Sequence, residues 1–251
     1  MHKNHELIYY KIFSGYENVV AFTSTKQTFD VVNPRFTGDT KDIFENNRIL
    51  LAEKLMIKPE QLIFPRQTHT NCVAEILDIP ENEIKETDAL VTNQTGICLC
   101  VQTADCVPIL LFDPINNVVA AVHAGWRGTV KKIVEIAVQK MVVKYNSSPE
   151  NIVAAIGPSI SPDIYEVGNE VVEEVKKSIP NAEILLHKNS SGKFHFNLWE
   201  ANRQILLENG LQKKNIEILG ECSFSQNNKY FSARKEGMET GRMVSGIMIL
   251  R

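Results

Sequence analysis

With 251 residues, 43% of them hydrophobic and 23% charged, the chain can bury a sizeable core and is too ordinary in composition for a disordered or fibrous protein. A formal charge of -3, with no Lys/Arg run longer than two residues, gives no electrostatic footprint for a nucleic acid. Nor does any apolar stretch approach the roughly 20 residues of a membrane span, and the N-terminus lacks an apolar signal core. A cytoplasmic monomer with neither a nucleic acid nor a membrane as partner is expected, folded as a single domain over residues 1–251 without repeats or linkers. Five cysteines (Cys72, Cys98, Cys100, Cys106 and Cys222) are an odd, sparse set, which argues for reduced thiols.

Along the chain, Leu7 to Tyr10 and Val19 to Phe22 read as short strands. Ile43 to Met56 carries an amphipathic helical pattern that Thr40 or Asp42 would cap. From Leu62 the pattern turns to strands: Leu62 to Phe64, Cys72 to Ile76, Ala89 to Thr92, Ile97 to Gln102, Val107 to Phe112 and Val118 to Val122. Cys98 and Cys100 alternate with apolar neighbours and read as core residues. Gly125 to Gly128 reads as a turn, after which Val130 to Tyr145 recurs at helical spacing. Asn151 to Ile156 is a strand stopped by Gly157-Pro158, and Val167 to Val175 marks another helix. Asn197-Leu-Trp-Glu200 has the spacing of a capping box opening a third helix to Glu208. Ile216 to Leu219, Lys229 to Ser232 and Val244 to Leu250 read as closing strands. Several connections are too short for parallel crossovers, so the expected fold is α/β (α+β), mixed β-sheets sandwiched by helices.

Chemistry concentrates at the ends of these runs. Cys106 in Thr103-Ala-Asp-Cys-Val-Pro108, His123 in His123-Ala-Gly-Trp-Arg-Gly128 and His69 in Gln67-Thr-His69 make a three-ligand set that would leave a metal one open position. Taken singly, each is as readily a buried structural residue, and the separations of 37 and 17 residues are no local zinc signature. Their place where apolar runs meet polar or glycine-rich turns favours a site, because sheet ends are where α/β folds hold ligands.

Those motifs, with Ile156-Gly-Pro158, Tyr165-Glu-Val-Gly168, Phe231-Ser and Thr240-Gly-Arg242, resemble the multicopper polyphenol oxidoreductase, or laccase-domain, family, whose bacterial members are also described as purine nucleoside phosphorylases. The resemblance runs from about Arg48 to the C-terminus. It implies that His69, Cys106 and His123 are catalytic and metal-binding, with zinc as the usual metal and copper the alternative. It further implies phosphorolysis of adenosine, inosine, guanosine and methylthioadenosine to base and ribose-1-phosphate, with adenosine deamination as a second activity. Phosphate is then a co-substrate. Ser159 stands where many relatives have Cys, and Asn197 where many have Asp, so neither position is essential to ligand chemistry here.

The remaining residues narrow the choice of reaction. A multicopper oxidase needs a histidine-rich trinuclear cluster, whereas the chain has six His, of which His2 and His5 are terminal and only His187 and His195 are spare. Arg127, in a glycine turn opening a helix, is a candidate for phosphate, its bland alternative being an Arg that pairs with loop carbonyls. Asp105 is a candidate general acid or base, or a residue that orients a ligand His; extended backbone over 104–107 would point it away from Cys106. Arg48, Tyr165, Glu166 and Arg242 are candidate substrate contacts, each equally readable as surface or turn residues. Trp126 could stack on a purine or anchor packing. Three alternatives remain open: a metal-free hydrolase with Cys106 as nucleophile and His123 as base, a copper-dependent phenol oxidase, and a non-catalytic cell-wall accessory protein.

Overall fold

Strand alternation sorts side chains onto two faces, and a computed structural model describes the result for residues 7–38 and 41–250, the side chains of 41–43 excepted. The cap expected at Thr40 or Asp42, and the terminal His2 and His5, lie outside that description. In chain order, β1 (Leu7–Tyr9) and β2 (Val19–Ser24) precede helix α1 (Lys41–Leu55). Strands β3 (Leu62–Ile63), β4 (Val73–Glu75), β5 (Ala89–Thr92), β6 (Cys98–Thr103), β7 (Val107–Asp113) and β8 (Val118–Ala124) fill the middle. They are followed by α2 (Trp126–Val130), α3 (Ile133–Tyr145), β9 (Val153–Ile156), β10 (Glu166–Val167) and α4 (Asn169–Ser178). The last elements are β11 (Leu186–Lys188), β12 (Phe194–Phe196), α5 (Leu198–Glu208), β13 (Ile216–Ile218), α6 (Ala233–Glu236) and β14 (Met243–Ile249).

Two mixed sheets carry the fold, one ordered β1-β2-β14-β6-β3 and the other β13-β9-β7-β8-β5-β4. Every residue of β7 and β8 is buried, which requires cover on both faces and explains why their sequences are apolar apart from Asp113 and His123 near the strand ends. On one face Ile109, Leu111, Ala120 and Val122 pack against Val134, Ala137 and Met141 of α3 and Ala201 and Ile205 of α5. On the other, Leu110, Phe112, Val119 and Ala121 meet Leu99 and Val101 of β6 and Ile247 and Ile249 of β14. The outer face of that second sheet, with Phe22, Cys98, Cys100 and Val244, is covered by Leu51 and Ala52 of α1. The expected sandwich of mixed sheets between helices is therefore what forms, with Cys98 and Cys100 in its core. All five cysteines are free thiols, and among the described residues no helix is long and apolar enough to cross a membrane.

Several local expectations need correction. Gly125 to Gly128 is not a separate turn: Gly125 precedes the first residue of α2, and the expected single helix to Tyr145 is broken where Lys132 adopts a left-handed φ of 55°. Val167 belongs to a strand rather than a helix, and β10, β12 and β11 form a small third sheet that the sequence did not announce. Asn197 caps α5 by accepting from the Glu200 amide at 3.0 Å, but Glu200 does not reach back; its carboxylate pairs with Arg203 instead. Lys229 to Ser232 is not a strand either. Tyr230 and Phe231 are buried in a small cluster with Met243, and Ser232 caps the short α6.

Candidate metal centre

Topology gathers the site at one end of the six-stranded sheet. β7 runs antiparallel to β8, and β8 antiparallel to β5, so the start of β7, the end of β8 and the start of β5 share an edge. Cys106 immediately precedes β7, His123 lies near the end of β8, and Asp88 immediately precedes β5. The connection Ala104-Asp105-Cys106 carries the chain from β6 in one sheet to β7 in the other, and Asp105 turns it with a φ of 85°. That backbone is not extended. His69 joins from the loop before β4, also left-handed at φ 60°.

One carboxylate organises this edge. Asp88 is fully buried and accepts hydrogen bonds from the amides of Thr68, His69 and Thr70 at 3.2, 3.0 and 2.7 Å and from the Thr70 hydroxyl at 2.8 Å. It also meets His123 Nδ1 at 2.7 Å, while its own carbonyl accepts the His123 amide. Asp88 thus fixes the His69 loop and leaves His123 Nε2 for a ligand role, as metal-bound histidines are commonly arranged. Sequence reasoning missed it. The available signal was its position: a carboxylate directly before an apolar run, the same feature that marked Cys106.

Cys106 Sγ lies 3.7 Å from His69 Nε2, the His69 and His123 rings are 4.9 Å apart, and the ligand atoms of all three residues fall within 4.8 Å of one another. Ordinary Zn–S and Zn–N lengths place such donors about 3.5 Å apart, so the cluster fits a metal after a small contraction. Among the described residues this is the one His/Cys/Asp/Glu group of three or more so placed. His187 and His195 pair across β11 and β12 and do not join it.

The thiol and imidazoles also tune one another. Burial pushes the Cys106 thiol up, but His123 and His69 outweigh it and bring it down to about 6. Burial likewise opposes charge on His123, yet the Cys106 thiolate and Asp88 raise it to about 9. Desolvation of Asp88 is overcome by His123 and Thr70, which hold its carboxyl at about 2. The Cys106 contribution to stability is complete above the ordinary thiol value and lost as pH falls through about 6. That of His123 is complete below the ordinary imidazole value and lost as pH rises through about 9. Metal-free protein should therefore carry a thiolate and imidazolium between those limits. Iodoacetamide should label Cys106 with a midpoint near pH 6; a midpoint near that of a free thiol, about 8.5, would contradict this electrostatic account.

Gly125 is required by close approach. A Cβ there would lie 3.0 Å from both Cys106 Sγ and His69 Cδ2, pushing the two ligands apart. Gly125→Ala should lower metal affinity about ten- to hundredfold with the fold intact, measured by competition with a chelator; unaltered affinity would show that the pair tolerates spreading.

The cluster opens into a cavity of about 250 Å³ lined by His69, Cys106 and His123 and by Arg35, Arg66, Gln67, Thr103 and Arg242, among others. Of the sequence-derived substrate candidates, Arg242 alone lines it. Arg48 donates to the Phe36 carbonyl at 2.9 Å, lies over the Phe64 ring and borders a neighbouring cavity of about 890 Å³ that shares Thr37, Gly38 and Arg66 with the first. Arg127 is exposed and stacks 4.3 Å from the centre of the Trp126 ring, which packs against the core. Tyr165 lies under the Arg234 guanidinium, and the Glu166 carboxylate pairs with Lys193 at 2.7 Å. Asp105 accepts from the Ser223 and Ser232 hydroxyls at 2.6 and 2.7 Å and from the Arg234 amide at 2.6 Å. Arg35 and Arg66 were not singled out in the sequence, having no local motif.

An α/β sandwich with a His/Cys/His cluster able to hold a metal ion bounds the class of protein, and comparison with known proteins narrows it. The family described as multi-copper polyphenol oxidoreductase laccase matches residues 22–250, and the chain belongs to that family. It is 37% identical to a purine nucleoside phosphorylase of Bacteroides thetaiotaomicron, covering 98% of this chain and 97% of that one. It is 40% identical to adenosine deaminase RL5 of an unknown prokaryotic organism, over 92% and 94% of the two chains. The crystal structure of YlmD from Geobacillus stearothermophilus superposes with a TM-score of 0.90 at 28% identity, covering 100% of this chain and 98% of that one.

Proposed function

We propose that this protein is a zinc-dependent purine nucleoside phosphorylase with adenosine deaminase activity. It acts on adenosine, inosine, guanosine and methylthioadenosine, and phosphorolysis yields base and ribose-1-phosphate. The observation that carries the proposal is the convergence of His69, Cys106 and His123 in the lining of one cavity. Relatives named for both activities support it. One thiolate and two imidazoles suit zinc, and three protein ligands leave a position open. When bound, the metal supplies a Lewis acid beside the nucleoside.

The protein's own groups hold the geometry. Asp88 keeps the proton of His123 on Nδ1, and Gly125 lets Cys106 and His69 close together. Asp105 is a positioning residue in this reading: three hydrogen bonds to its carboxylate tie the Cys106 loop to Ser223, Ser232 and α6. The working compartment is taken to be the cytoplasm, consistent with five reduced cysteines.

The test is incubation of zinc-loaded protein with adenosine or inosine, with and without phosphate, and identification of the products. Base and ribose-1-phosphate should appear only with phosphate, and adenosine should give inosine without it. Failure to release base at any phosphate concentration would contradict phosphorolysis and favour an accessory role. The lowered thiol of Cys106 beside His123 specifically favours a second reading, a metal-free cysteine nucleophile. Covalent trapping of Cys106 during turnover by metal-free protein would establish that alternative.

A further inference from the structure

The cavity that holds the His69, Cys106 and His123 cluster is also lined by cations that neither strand patterning nor metal binding requires. Arg35, Arg66 and Arg242 come from three distant segments and line the same cavity as Cys106 and His123. Arg35 and Arg242 are packed together by shared acceptors: Arg35 Nη2 donates to the Met238 carbonyl at 2.7 Å, and Arg242 Nη2 donates to the same oxygen at 3.1 Å. Arg242 Nη1 also bonds the Thr240 and Gly241 carbonyls. Backbone carbonyls orient Arg35 and Arg242 without neutralising them, whereas Arg66 pairs with Glu83 at 3.5 Å. Among the described residues Arg242 has no ion pair, and the carboxylate nearest Arg35 is Glu239, at 3.5 Å with a side chain 97% exposed.

Two neighbouring guanidiniums held without a buried counter-charge are costly unless an anion joins them. Burial, and then Arg35, weaken the hold of Arg242 on its proton, which records that cost. A second, independent feature belongs to the same cavity lining. The Thr103 hydroxyl, in a residue 1% exposed, is buried without a hydrogen-bond partner. A buried hydroxyl left unmatched calls for a ligand or water to complete it. Cation forks together with a hydroxyl donor match a tetrahedral oxyanion.

We propose that Arg35, Arg66 and Arg242, with Thr103, form the phosphate subsite. This rests on the nucleoside phosphorylase reading and takes the role that the sequence suggested for Arg127. The subsite would deliver a phosphate oxygen to the ribose C1′. There the new C–O bond forms as the C1′–N9 bond breaks, and its electron pair leaves with the purine, which takes up a proton. The same chemistry would also accept the 5′-phosphate of a nucleotide, so binding must distinguish the two.

The test is calorimetric titration of the zinc-loaded protein with inorganic phosphate and, separately, with a nucleoside 5′-monophosphate. Inorganic phosphate should bind. Arg242→Gln and Arg35→Gln should each weaken it at least about tenfold, the scale of one charge-assisted hydrogen bond, with partial recovery in Arg242→Lys. In turnover, both variants should raise the phosphate KM more than the nucleoside KM. Two variants on different segments guard against one failing to fold. Phosphate binding indifferent to both, or lost only in Arg127→Gln, would overturn the assignment even if base is released. Binding of the monophosphate but not of inorganic phosphate would overturn it in favour of a nucleotide site. Because calorimetry needs no turnover, intact phosphate binding without base release would reject the phosphorylase reading alone.

Discussion

Cys106→Ala is expected to abolish both metal retention and turnover while the fold survives. Its thiolate is the single anionic donor of the cluster, and without it a dication faces two neutral imidazoles, one exposed on a loop. If the metal contributes about 4 kcal/mol of transition-state stabilisation, its loss lowers kcat/KM by about a thousandfold. The metal-free variant should also lose the stability that the thiolate adds above about pH 6, a loss that denaturant unfolding at two pH values would read. Metal analysis alongside kinetics checks this. A variant that keeps stoichiometric metal would remove Cys106 from the ligand set; one that loses metal but keeps turnover would remove the metal from the chemistry.

Asp88→Ala should show the opposite balance, damaging stability as much as function. The substitution leaves a buried imidazolium without its partner and three amides, those of Thr68, His69 and Thr70, without their acceptor. Breaking a buried pair by removing one member costs about 3 to 5 kcal/mol, which is a large share of the stability of any domain. Denaturant unfolding measures the loss. Below about 1 kcal/mol, water must be replacing the carboxylate and the organising role fails. Asp88→Asn, which keeps an acceptor but no charge, should recover part of the stability and less of the metal affinity, because it no longer holds His123 with the same force.

How much of this was readable beforehand depended on the length scale of each feature. β5 matches its expected range, and β7 and β8 nearly so, because long apolar runs with both faces buried leave little alternative register. β10, β11 and β12 have two or three residues each, too few for a period to emerge. Tyr230 and Phe231 misled for a related reason: two adjacent large apolar residues signal burial but not the backbone that achieves it. At the site, the His69, Cys106 and His123 cluster was legible because thiol and imidazole groups are rare, and two of the three sat at strand ends. Carboxylates and guanidiniums are common, so Asp88, Arg35 and Arg66 stood out only once antiparallel pairing and loop packing drew them to the same edge.

The most direct test of the account is titration of metal-free protein with zinc while following phosphate-dependent release of hypoxanthine from inosine. Activity should rise linearly and stop at one equivalent, and the Cys106→Ala protein should stay inactive throughout. Full activity before any zinc is added, or a continued rise well beyond one equivalent, would contradict a single His69/Cys106/His123 metal centre as the seat of catalysis.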